Sequence, residues 1–297
     1  MKKAFIQLHI AVFLAGFTGI LGRLIHLNEG LLVWYRLLIS SVTMWILFWL
    51  TGKLQRISRK DMLGLAGIGF VAAMHWVTFY GAIKHANVSV ALVCFSAVGF
   101  FTALLEPVIL GTRIKWKELL LGLIVVAGIY VIFHFDTRYK TGIILGTISA
   151  ILIAFVIIIL RLYVQRINSE TVLTYQLSGG TLALTACLPF YLHLYPTNYI
   201  IPGWADFGWL LVLAWICSVL AFQFSVAALK RLTAFTVNLT FNLEPVYGIA
   251  LAFAIYREDQ FLSKWFFFGI SLIAASLLIH VASLVKAEKR KVGQGSL

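Results

Sequence analysis

Apolar residues run along this chain in stretches of about 20, the length a helix needs to cross a hydrocarbon core of roughly 30 Å. Each stretch ends at a short turn bearing Lys, Arg, Gly or Pro. Reading those runs gives ten spans, at residues 4–24, 30–50, 62–82, 88–111, 119–135, 142–163, 171–195, 206–229, 233–255 and 265–285. The spans are apolar nearly all round, so periodicity does not fix which face of each points inward. The pattern predicts an all-α integral membrane protein of about ten transmembrane helices, joined by brief loops, with no soluble domain attached.

Composition agrees. Of 297 residues 61% are hydrophobic and only 12% charged, against roughly 25% charged in an ordinary soluble domain. The net charge of +13 would suggest nucleic acid as a partner for a soluble protein, but here the Lys and Arg sit in the turns and tails between apolar runs. They act as topology signals instead, which removes nucleic acid as a partner and leaves the lipid bilayer. With the N-terminus inside, the inner segments carry 17 Lys and Arg and the outer segments 6, and Arg36 lies deep within a span. The positive-inside rule then places both termini in the cytoplasm and the chain in the cell (inner) membrane. Cys94, Cys187 and Cys217 lie within apolar runs without metal-ligand spacing, so neither disulfides nor a metal site is expected.

The chain also repeats itself. A shift of 146 residues lays Ala82-Ile83-Lys84-His85 on Ala228-Leu229-Lys230-Arg231 and carries 88–111 onto 234–257 without a gap. Five spans per half means that paired loops face opposite sides. The charges follow, since Thr112 to Lys117 holds three basic residues and no acid, whereas Arg257 to Lys264 is neutralised by Glu258 and Asp259. The expected organisation is two inverted five-helix repeats, residues 1–140 and 141–297 with a basic tail, an architecture of secondary transporters whose substrate site lies near the midplane between halves.

The run Ala227-Ala228-Leu229-Lys230-Arg231-Leu232, then Asn242-Leu243-Glu244-Pro245-Val246 and Arg257-Glu258, resembles the second half of EamA-type transporters of the drug/metabolite transporter (DMT) superfamily. Trp34-Tyr35-Arg36-Leu37 and Phe79-Tyr80-Gly81-Ala82-Ile83-Lys84 echo it in the first half. The resemblance implies two five-helix repeats around a central cavity and efflux of metabolites, amino acids or drugs. Span four departs from it, with Val98-Gly99 where the family often has proline, and with Glu106-Pro107, which the 146-residue shift lays on Ala252-Phe253.

Polar residues inside the spans are the candidate chemistry. Glu244 lies 13 residues from both Arg231 and Arg257, about 20 Å from either at 1.5 Å per residue and so at the midplane. An acid there costs about 2.5–3.5 kcal/mol on insertion scales unless protonated, paired or wet. Pro245 next to it frees the carbonyl of Phe241. A contact for protons or a substrate amine competes with a neutral structural acid at a kink. Arg36, roughly 10 Å below the outer surface, suits a substrate carboxylate bidentately, or else snorkels outward. Gln176 is its expected counterpart in the second half. Glu106 reads as a local ion pair more than a gate. His75 with Trp76 and Tyr80 forms an aromatic surface, for packing or for lining a cavity. In a continuous ninth span, Glu244 shares its face with Phe241 and Gly248, and Asn238 and Asn242 point away as interhelical glue. Gly16, Gly19, Gly22, Gly142 and Gly146 are expected at close helix approaches.

The function these features support is alternating-access export of a small organic metabolite, with protons as the candidate coupling ion and no cofactor, since no nucleotide-binding loop is present. A nucleotide-sugar or organic-anion exchanger is the nearest alternative. An intramembrane lipid-modifying enzyme is the alternative of another class, and the scattered His, Glu and Asn lack the convergence it needs. Nothing in the sequence sets the oligomeric state.

Overall fold

A computed structural model describes residues 2–294 except 136, 230 and 233, and describes no side chain at 135, 229, 234, 235, 238, 239, 284, 285 or 287–294. Lys230 and the Asn238 amide therefore lie outside the described residues.

The chain is helical throughout its described spans, as it must be where no water can satisfy backbone N–H and C=O groups. The helices are α1 (Lys2–Leu24), α2 (Glu29–Leu50), α3 (Arg59–His85), α4 (Val88–Phe95), α5 (Val98–Leu110), α6 (Trp116–Phe135), α7 (Lys140–Val164), α8 (Ser169–Leu194), α9 (Trp204–Leu211), α10 (Ala221–Leu229), α11 (Ala234–Phe241), α12 (Glu244–Tyr256) and α13 (Lys264–Gln294). Asn28, Ser58, Asn87 and Asn168 accept from the third backbone N–H beyond them and so start α2, α3, α4 and α8. Nine stretches among the described residues are long and apolar enough to cross a membrane. The tenth span is the pair α11 and α12.

Spans four and nine, expected as single helices, are each broken. The first stops at Phe95 and restarts at Val98, the second stops at Phe241 and restarts at Glu244. A shift of 146 residues carries α4 onto α11 and α5 onto α12 end to end, and both second segments close on a left-handed residue, Gly111 at φ 65° and Arg257 at φ 53°. The repeat is thus written into the backbone. Two expectations change with it. Pro245 sits at the start of α12, where its missing N–H breaks no helical bond, so it begins a helix and does not kink one. The continuous helical wheel that set Asn242 against Glu244 does not apply, because Asn242 and Leu243 form the turn between helices. A third irregularity is π-helical, at Val212–Leu220 between α9 and α10.

Small residues let the helices approach closely. A Cβ on Gly16 would meet the Glu244 carbonyl and Gly248 amide at 2.9 Å, which brings α1 against α12. Gly69 lies against the backbone of Gln176 and Gly180, joining α3 to α8, and Gly128 lies against Gly269, joining α6 to α13. Gly142 and Gly146 seat α7 on Ala82, Ala86 and Cys94, and Gly22 makes room for the Tyr80 ring. Helix α3 occupies the middle of the bundle, against α7, α8, α1 and α2. Large apolar side chains such as Trp49, Leu63, Val108, Leu182 and Ile201 point outward, the surface a bilayer covers.

Candidate functional site

Among the described residues Arg36 is the one arginine or lysine that the fold buries, at 7% exposure. It does not snorkel. Its Nη1 donates to the Tyr80 hydroxyl at 2.7 Å, its Nε donates to Ser218 Oγ at 3.2 Å, and its guanidinium lies 4.8 Å from the centre of the Trp76 ring. Three predicted site residues, Arg36, Trp76 and Tyr80, are therefore brought together by α2 and α3, which deliver them from different parts of the sequence. Each partner is neutral. No carboxylate lies within ion-pair distance of Arg36 among the described residues, and its Nη2 makes no hydrogen bond to them.

Glu244 is the acid at the start of α12, half-buried and without a hydrogen bond to its carboxylate among the described residues. Its backbone carbonyl is pressed against Gly16, which fixes where the helix begins. Phe241 packs nearby with Leu8, Val12 and Tyr247, and Tyr247 shares a 3.0 Å hydrogen bond with His9 Nδ1. The break in span nine thus sets Glu244, whose carboxylate has no partner among the described residues, at the first turn of α12, with Phe241 at the end of α11.

The other predicted residues go elsewhere. His75 is buried and spent on structure, its Nδ1 3.0 Å from the Ser149 carbonyl while Ser149 Oγ donates to the His75 carbonyl at 3.2 Å, which rivets α3 to α7. Its ring packs on Phe79 and Phe95. Gln176 is buried where α8 meets α3 and makes no side-chain hydrogen bond among the described residues. Glu106 lies at the basic end of the bundle, its Oε1 2.7 Å from Arg161 Nη1 and its Oε2 3.8 Å from Lys115, a local ion-pair cluster.

A cavity of about 690 Å³ opens at that basic end, walled by α1, α2, α8 and α10, with Lys3, Lys53, Glu170, Gln223 and Arg231 among its lining residues. Its size falls in the range of small-molecule sites. A second cleft of about 310 Å³ between α6 and α7 has aliphatic and aromatic walls, including Val126, Tyr130, Ile144 and Thr147, and is the kind of groove a lipid chain fills.

The opposite end is closed by contacts the sequence did not announce. Asp206 accepts from the backbone N–H of His26 at 3.0 Å and lies 3.1 Å from its Nδ1. Lys84 Nζ donates to the carbonyls of Ile25 and Leu27, and Tyr191 donates to Glu29 at 2.9 Å. Glu258, 2% exposed, accepts from Arg23 and from the start of α4. The one legible signal for Asp206 is its place as a lone acid entering an apolar span. Ser218 carried none, since only the π-helical register turns it towards Arg36.

Comparison with known proteins gives the same architecture. The profile of the EamA-like transporter family matches residues 2–134 and again residues 140–280. A solved crystal structure, described only as "Crystal structure of protein", is similar to this chain with a TM-score of 0.61 and 16% identity, over 95% of this chain and 98% of that one. No curated protein matches.

Proposed function

Because the chain belongs to the EamA-like transporter family, we propose that it exports a small organic metabolite, an amino acid or a related compound, by alternating access between its two five-helix halves. Members of that family are membrane transporters of the DMT superfamily, and this chain is a multi-pass membrane protein of that kind. The halves at 1–140 and 141–297 rock about a midplane site, the basic end faces the cytoplasm with both termini, and protons are the coupling ion.

The observation that carries this reading is the unneutralised pair in the bundle. Arg36 is buried against a hydroxyl, a second hydroxyl and an indole, and the Glu244 carboxylate at the start of α12 has no ion-pair or hydrogen-bond partner among the described residues. A buried charge with only neutral partners is costly, and the cost is recovered when a ligand supplies the opposite charge. A carboxylate on Arg36 and an amine, or a proton, on Glu244 meet both needs. The cationic lining of the cavity at the basic end, Lys3, Lys53 and Arg231, raises the local concentration of anionic solutes before they reach Arg36. The same lining supports the organic-anion exchanger as a second reading.

The test is uptake of a labelled panel of amino acids and other metabolites into inverted proteoliposomes, with and without an imposed proton gradient and with unlabelled compound inside or outside. Gradient-driven flux that Glu244→Gln makes insensitive to the gradient supports Glu244 as the coupling group. Flux that needs counter-substrate and ignores the gradient supports the exchanger. Gradient-driven flux left intact by Glu244→Gln makes that residue structural.

A further inference from the structure

At the end of the bundle away from the basic cavity, one carboxylate collects four donors. Glu258 follows α12, in the second half of the chain. Its Oε1 accepts from Arg23 Nη1 at 2.5 Å and from the backbone N–H of Val88 at 3.1 Å. Its Oε2 accepts from the N–H of Ser89 at 2.9 Å and from Ser89 Oγ at 2.6 Å. All four donors belong to the first half. Two of them are open N–H groups of the first turn of α4, where a negative charge is also favoured by the helix dipole. Glu258 and Ser89 are both buried, at 2% and 0% exposure. Arg23 further lies 4.2 Å over the Tyr256 ring, and the Tyr256 hydroxyl donates to the Ile20 carbonyl at 3.0 Å. One side chain therefore ties α1, α4 and α12 together across the boundary between the halves.

The internal repeat says what should stand at the other end. The 146-residue shift that superimposes α4 on α11 and α5 on α12 carries Ser89 onto Phe235 and Glu258 onto Thr112. The basic end thus has no carboxylate where the opposite end has Glu258, and no hydroxyl where it has Ser89. Among the described residues there, Glu106 pairs with Arg161 and Lys115, Glu118 with Lys115 and Asp61 with Arg166, ion pairs whose cations are mostly exposed, a class that holds little in water. A buried carboxylate with four donors is harder to undo than such pairs, since parting it from them strands charge and donors in a dry place.

We infer that Glu258 is a latch holding the end opposite the basic cavity closed, and that the lack of its counterpart at Thr112 and Phe235 makes the resting protein open at the basic end. The inference rests on alternating access but is read from conformation, not from flux, so it fails or stands apart from the transport proposal. A latch that binds one of two states shifts the population by its differential stability and by no more.

The experiment places single cysteines in a background with Cys94, Cys187 and Cys217 replaced, in nanodiscs so that a hydrophilic maleimide reaches both ends. Ile20→Cys reports on the closed end, beneath Tyr256, and Val226→Cys on the basic cavity. In the native setting Val226→Cys reacts quickly and Ile20→Cys slowly. Glu258→Gln is expected to raise the Ile20→Cys rate at least tenfold and to lower the Val226→Cys rate, with Ser89→Ala acting more weakly in the same sense. Thr112→Glu combined with Phe235→Ser leaves Glu258 untouched and supplies the missing counterpart, and it is expected to move both rates the same way as Glu258→Gln. Unchanged rates in Glu258→Gln, or both rates rising together as in a loosened fold, overturn the latch. If Glu258→Gln does not fold, unchanged rates in the Thr112→Glu, Phe235→Ser protein overturn the asymmetry on which the resting state depends.

Discussion

Arg36 and His75 stand one helix apart and illustrate two fates of a polar residue inside a membrane bundle. Arg36 uses two of its nitrogens on hydroxyls and lays its plane by an indole, a geometry that depends on the planar fork and not on charge alone. Arg36→Lys is therefore expected to raise the KM for carboxylate substrates at least tenfold in proteoliposome uptake, and Tyr80→Phe to do so by a smaller factor, in keeping with about 1.5–3 kcal/mol for a hydrogen bond to a charged group. Unchanged KM in both variants would remove Arg36 from the binding site. His75, by contrast, exchanges hydrogen bonds with Ser149 on α7 and faces packing aromatics. His75→Ala is expected to lower the melting temperature in detergent while leaving KM within about twofold, since the deletion leaves a cavity and removes the imidazole's bond to Ser149 but keeps Arg36's hydrogen bonds to Tyr80 and Ser218.

At the scale of elements, the breaks in spans four and nine matter more than the ten-span count. A proline inside a helix costs about 3 kcal/mol or more, while at the first turn its missing N–H is one that has no helical partner anyway. Pro245→Ala is thus expected to change thermal stability by less than about 1 kcal/mol, measured by unfolding in detergent, and a large change would restore the kinked-helix reading. Close approaches are less tolerant. A Cβ at Gly248 meets both Leu92 and the Gly16 carbonyl, and one at Gly16 meets backbone. Backbone cannot move aside as a side-chain end can, so Gly16→Val should part α1 from α12 and lower the yield of folded protein in detergent size-exclusion profiles far more than Gly67→Val, where nothing stands in the way. The two halves meet through such glycines and through tryptophan bridges from α2, Trp34 to Thr185 and Trp45 to Ser178, each 2.8 Å.

For the whole molecule, the asymmetry between its ends is the property to which function attaches. One end gathers Lys3, Lys53 and Arg231 around an opening, and the other gathers buried acids, Asp206 and Glu258, onto donors. The charge counts in the turns give the expectation that the basic end faces the cytoplasm. Cysteine substitutions at the exposed Lys53 and Tyr199, in intact cells treated with an impermeant maleimide, are expected to label at Tyr199 alone. Labelling at Lys53 instead would invert the topology and turn export into import.

The sequence by itself determined the solvent, the number of spans to within a few residues at most ends, the repeat and its 146-residue register, because burial in lipid leaves a mark on every residue of a span. It also marked Arg36 and Glu244 as costly, since a charge in an apolar run is conspicuous wherever it points. Tertiary structure alone decided which of the marked residues meet. Arg36, Trp76 and Tyr80 converge while His75 turns to Ser149 and Glu106 stays at the basic end, because helix rotation is set by packing between neighbours and the all-round apolar spans carry no stripe to record it. The same reason hid Ser218, whose direction depends on a π-helical register, and Glu258, which read as a loop charge until the fold set it on the first turn of α4. The breaks at Ser96 and Asn242 were equally silent, for a turn inside a membrane leaves its polar groups to be met by neighbours, and only the assembled bundle says which neighbours those are.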